Sequence, residues 1–167
     1  MDRRTALKSL ATVGSVTLAG CSSVPGFGQS GTVLGKIEVI NSSFVPNRIR
    51  LLVVRGEDDL IDREHSLAAI DAENGTRGTI IEPSWSDTRG QYTIHAHHVE
   101  ESGDRESSSR EYTVTGKDYD RYYGDSQEDP GCIGAVVKIG SLAETENAAI
   151  GISPTYMENP CDASDSE

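Results

Sequence analysis

Two stretches of the 167-residue chain carry side chains whose types and spacing could do chemistry. The first is His95-Ala-His97-His98. On a strand, residues i and i+2 face the same way, so His95 and His97 could share a metal such as Zn or Cu from an accessible face. His98 points to the other side. A complete site needs further ligands, for which His65 and Glu111 from neighbouring strands are the candidates. The second stretch is Asp118-Tyr-Asp120-Arg-Tyr-Tyr-Gly124-Asp125-Ser-Gln-Glu128-Asp129. Spaced carboxylates around a glycine in a loop could hold Ca²⁺ or Mg²⁺ through oxygen. It is not an EF-hand: Tyr122 occupies a ligand position, Gly124 falls one place late and Asp129 replaces the bidentate Glu. The plainer readings are a solvated polar strand face for the histidines and a solvated acidic loop for the carboxylates. Tyr119, Tyr122 and Tyr123 in that loop either contact a protein partner, since Tyr offers area at little entropic cost, or cover one end of the fold.

Other catalytic signatures are missing. The sequence contains no Gly-x-Ser-x-Gly, no His-Glu-x-x-His and no Gly-rich phosphate loop. Carboxylates are so frequent that they single out no acid/base pair. The expectation is a non-catalytic protein without a resident cofactor, with Zn, Cu or Ca as the metals to consider.

The elements that would position these residues read as strands. Ile49, Leu51 and Val53 alternate with Arg48, Arg50 and Leu52. Tyr92, Ile94 and Ala96 alternate with Thr93, His95 and His97. Ile133, Ala135, Val137 and Ile139 form a third series, and Val33, Ile37, Val39 and Ala148, Ile150, Ile152 two more. This is the period of half-buried strands. Turn residues separate them: Asn41-Ser-Ser, Arg55-Gly-Glu-Asp-Asp, Glu73-Asn-Gly, Thr88-Arg-Gly and Glu101-Ser-Gly-Asp. Residues 60–70 could form a short helix, but their neighbours favour a strand. Several short strands with such turns predict an all-β fold, an antiparallel β-sandwich of about 7–9 strands over residues 32–161. Asn41 and Asn74 head glycosylation sequons, both in predicted turns. Trp85 is expected in the core.

Asp87, followed by Gly90-Gln-Tyr92-Thr-Ile94 entering a strand, resembles the tyrosine corner of immunoglobulin-like sandwiches. The resemblance implies an immunoglobulin-like fold in which Tyr92 buries its ring and returns its hydroxyl to nearby backbone. One residue is inserted between Asp87 and Gly90, and Ile94 stands where antibody domains place Cys.

The first twenty residues read as an export signal: a charged start, a short apolar run and small residues before a cut. Arg3-Arg4 with Leu7-Lys8 resembles a twin-arginine signal, departing from it at Asp2 and Ala6. Leu18-Ala19-Gly20-Cys21 resembles a lipobox, which implies that the Cys21 thiol takes a lipid and becomes the mature N-terminus. Residues 21–31, rich in Gly and Ser, would then be a tether spanning at most ~35–40 Å, and 162–167 a polar tail. The chain has 15 Lys+Arg against 27 Asp+Glu, a net charge of −12. Losing Arg3, Arg4, Lys8 and Asp2 leaves 12 positive and 26 negative groups, net −14. Such a balance argues against a nucleic-acid partner. No run reaches the ~18 apolar residues of a membrane span, so the membrane partner is reached through the lipid on Cys21.

Of three cysteines, Cys132 and Cys161 remain as an even pair in an exported domain, where a disulfide is expected. A strand over 132–139, a turn at 141–147 and a return over 148–156 would bring them together. A two-Cys metal site is the alternative. The order Trp, Gly-x-Tyr, late Cys-strand-strand-Cys, with acidic excess and few Lys, resembles small twin-arginine-exported surface lipoproteins of halophilic archaea. The combined expectation is a lipid-anchored module on the outer face of the cytoplasmic membrane, binding or structural in role, with an unknown protein partner. The alternatives are a metal-handling lipoprotein and an accessory subunit of an exported enzyme or transporter.

Overall fold

The computed structural model describes residues 31–99, 109–125, 129–140 and 149–161. The signal and lipobox residues Arg3, Arg4, Leu18, Ala19, Gly20 and Cys21, the carboxylate Glu128 and the tail 162–167 lie outside these residues.

Among the described residues, eight strands and one helix follow in the order β1 (Val33–Asn41), β2 (Asn47–Arg55), β3 (Asp58–Leu67), β4 (Gly78–Ile81), β5 (Tyr92–His98), β6 (Ser109–Val114), α1 (Gly116–Tyr123), β7 (Cys132–Ile139) and β8 (Ile150–Thr155). They form two four-stranded sheets, β4-β1-β7-β8 and β3-β2-β5-β6, packed as a β-sandwich. The alternating apolar positions face inward: Ile37 and Val39, Ile49, Leu51 and Val53, Tyr92 and Ile94, and Ile133 to Ile139 at every second residue share one buried cluster. The period of two thus became a core because each sheet buries one face and solvates the other.

The pairings β1–β4 and β2–β5–β6 are those of strands B–E and C–F–G in an immunoglobulin sandwich, and β3 sits beside β2 as C′ does. The tyrosine corner is present. Tyr92 is fully buried and its hydroxyl donates to the Thr88 carbonyl at 2.5 Å. Trp85 is half-buried against the core and its indole Nε1 donates to the Leu34 carbonyl at 2.7 Å. Residues 60–67 lie within strand β3, and 61–67 pair residue by residue with β2, Leu60 being passed over at a register shift.

Four expectations are corrected. The sheets are not antiparallel throughout, since β7 runs parallel to β1 in the place of strand A. Residues 118–123 are not loop but helix. Thr115 caps that helix: its backbone N and its Oγ1 both donate to the Asp118 carboxylate, at 2.8 and 3.0 Å. This Thr-x-x-Asp arrangement satisfies groups that would otherwise fray the first turn. Asn41 is the last residue of β1, not a turn residue, and is 1% exposed. A glycan cannot reach its amide in the folded chain. Asn74 is exposed. Finally, Tyr123 is core: its ring is buried, and its hydroxyl donates to the Met157 carbonyl and accepts from the Met157 amide.

The Cys132–Cys161 disulfide is formed, with Cα atoms 5.7 Å apart. It fixes the segment after β8 to the start of β7. The same pole of the sandwich holds the Thr32–Gly90 bridge, with N–H···O contacts of 3.1 and 2.9 Å in the two directions. It also holds the two-residue β2–β3 turn, where Gly56 takes φ +64°, a value glycine adopts at no steric cost. The opposite pole lies about 30 Å away along β1. There Asn41 donates to the Val45 and Ala68 carbonyls at 2.8 and 2.9 Å, tying the β1–β2 loop to the end of β3.

Candidate functional site

The outer face of the β3-β2-β5-β6 sheet carries the side chains that Ile94 and Ala96 leave pointing outward. Two rows cross it. In the first, Asp62, Leu52, His95 and Glu111 stand on successive strands; in the second, Glu64, Arg50, His97 and Ser109 do. Between them lies a groove of about 800 Å³ with Leu52 and Ala96 among its lining residues and His95, His97, Asp62 and Glu111 along it. Strands rather than loops build this groove, so its polar groups are held at fixed spacing.

One ion pair and one His–carboxylate contact organise it. Arg50 grips Asp62 with two parallel bonds, Nε to Oδ1 at 2.6 Å and Nη2 to Oδ2. This bidentate fork holds the Asp62 carboxyl below the usual carboxylate range, with a smaller contribution from His97 nearby, and raises the Arg50 guanidinium. His95 Nδ1 lies 3.4 Å from Glu111 Oε2. Next to them Arg48 Nη2 donates to Glu64 at 2.5 Å. The face therefore alternates donors and acceptors around the half-buried Leu52, chemistry suited to holding a polar ligand or partner by hydrogen bonds.

The structure brings together only part of the predicted metal set. His95, His97 and Glu111 share this face, but His65 does not. His65 pairs with Ile49, and Ile49 with His98, which puts His65 and His98 on the opposite face. The His65 Nε2 is buried without a hydrogen-bond partner, and burial, then Arg63, pushes its pKa down. Among the described residues no three His, Cys, Asp or Glu side chains converge as a metal would require.

The acidic stretch is dispersed. Asp118 is occupied by the helix cap and by the Tyr112 hydroxyl, 2.8 Å from Oδ1. Asp129 accepts from the Tyr119 hydroxyl, Asp120 and Asp125 are exposed on α1 and just after it, and Glu128 lies outside the described residues. The tyrosines mainly pack: Tyr119, Tyr123 and Tyr156 stack in series with ring centroids 5.1 and 5.5 Å apart. Tyr122, 36% exposed, donates to the Pro154 carbonyl at 3.0 Å, so the helix is fastened across β8.

Sequence reasoning missed Arg50 and Asp62 as members of the site. Arg48-x-Arg50 and Asp62-x-Glu64 carry opposite charges at matching two-residue spacing on consecutive strands, but they share a face only in the observed, bulged register. No family model matches the sequence, and neither a curated protein nor a solved structure matches this chain.

Proposed function

We propose that the protein is a lipid-anchored, non-catalytic binding module on the outer face of the cytoplasmic membrane, presenting the β3-β2-β5-β6 face to a polar ligand or protein partner. The observation that carries this reading is the groove itself, an open, strand-built row of paired donors and acceptors. Its position agrees with the address read from the sequence. The chain enters the sandwich at Thr32, eleven residues after Cys21, at the pole of the Thr32–Gly90 bridge. His97 stands toward the far end of β5 from that bridge. A tether at this pole leaves the groove and the far loops facing away from the membrane.

Cell fractionation tests the anchor. The wild-type chain is expected in the membrane pellet, and Cys21→Ser in the medium or soluble fraction. A Cys21→Ser chain that still pellets with membranes contradicts the reading.

A further inference from the structure

A second pocket lies at the pole where the chain enters. Arg55, from the end of β2, and Arg89, from the segment before β5, line a cavity of about 560 Å³ together with Gly56, Thr88, Gln91 and Thr93. Among the described residues no carboxylate lines it.

Arg55 is held in place. Its Nη1 donates to Ser86 Oγ at 3.1 Å, its guanidinium lies 5.9 Å from the Tyr92 ring centroid, and its stem runs over Gly90, where an added Cβ would approach it to 3.2 Å. Its ion pair with Asp58 is long, 3.9 Å, to a side chain that is 74% exposed. Among the described residues Arg89 has no ion-pair partner. Arg89 also lines the adjoining crevice with Gly31, Thr32, Gly131 and the carboxylate Asp120, which opposes an anion there, so it stands between the pocket and the start of the sandwich. The approach is close enough that a Cβ on Gly31 would come within 2.6 Å of Gly90.

We propose that the Arg55–Arg89 pocket is a phosphate site that takes the headgroup of an anionic membrane lipid and seats this pole of the domain on the bilayer. Guanidinium forks match phosphate oxygens bidentately; the Thr88 and Thr93 hydroxyls at the rim are engaged with Ser86 Oγ and Thr113 Oγ1 at 2.8 and 3.0 Å. The lipid is chosen over free phosphate because the tether enters beside the pocket, a choice that rests on the proposed Cys21 anchor. Glu57, Asp58 and Asp87 flank the pocket and oppose an anion. Near 1 M salt the Debye length is ~3 Å, so their exposed charges are screened, while a direct fork-to-phosphate contact persists.

The experiment uses the Cys21→Ser full chain, which carries no lipid, in a flotation assay at molar salt. Binding to phosphatidylglycerol vesicles and not to phosphatidylcholine vesicles is expected. Arg89→Gln, an exposed position, should weaken it about tenfold, the loss expected for one charge-assisted contact, with the unfolding midpoint unchanged. Arg55→Lys keeps the charge but loses the fork, and should weaken it similarly. Equal binding to both vesicles, or no effect of Arg89→Gln, overturns the proposal. Titration with inorganic phosphate separates the sources: saturation of the pocket by free phosphate without vesicle preference also overturns membrane seating. Failure of the anchor would instead appear as wild-type chain in the medium, a readout independent of flotation.

Discussion

The Tyr92 hydroxyl and the Thr88 carbonyl, four residues apart, meet at 2.5 Å beneath the crossing from one sheet to the other. The bond fixes the segment carrying Arg89 and Gly90 against the core, and Gly90 in turn bridges Thr32. Tyr92→Phe keeps the buried ring and removes only the hydroxyl, leaving the carbonyl with one fewer partner. A loss of about 1–2 kcal/mol is expected, read as a lower denaturant midpoint with an unchanged slope. An unchanged midpoint would show that the corner is not a stabilising contact.

Asn41 is the second polar fixture. Besides its two donated bonds, its Oδ1 accepts from the Ser43 amide at 3.0 Å, the Ser43 hydroxyl at 2.8 Å and the Asn47 amide at 3.2 Å. Asn41→Ala strands several buried groups and should cost about 3 kcal/mol. Peptide mapping of protein from its native host should find Asn41 without a glycan. A glycosylated Asn41 in folded protein would contradict the buried placement.

The Tyr112–Asp118 contact gives a pH dependence. Burial, then the bond to Asp118, pushes the Tyr112 phenol up to about 12, above its ordinary value near 10. A raised phenol pKa means that the folded state holds the proton more tightly than the unfolded one. Its contribution to stability is complete below pH 10 and lost as pH rises through about 12. Ultraviolet titration of tyrosinate should show a late-ionising component that disappears in Tyr112→Phe. A titration curve unaltered beyond the loss of one ordinary phenol would contradict the assignment.

The fold was legible because the inward residues of β2, β5 and β7 alternate strictly, and the Gly90-x-Tyr92 signal marks one corner. The disulfide followed from the parity of the cysteines and the hairpin between them. The helix was hidden behind its own acidity: Asp118 and Asp120 read as possible ligands, although Thr115-x-x-Asp118 is a capping pattern. The site was harder for a geometric reason. Register between β2 and β3 shifts between Val53 and Val54. Counting back from the Gly56-Glu57 turn without that bulge sets Arg63 rather than Glu64 opposite Arg50. A one-residue slip exchanges the faces of a strand, so the Arg50–Asp62 fork was not readable from spacing. His65 failed as a ligand for a related reason, since its register with Ile49 places it on the core side.

The central claim is that the β3-β2-β5-β6 face is the contact surface, and photo-crosslinking from single positions tests it most directly. A photoreactive residue at Ser109, which lines the groove, is compared in intact cells with one at exposed Ser153 on β8, in the other sheet. The account expects a discrete crosslinked species from Ser109, suppressed by Arg50→Ala, and none from Ser153. The same species from both positions, or from Ser153 alone, would contradict it.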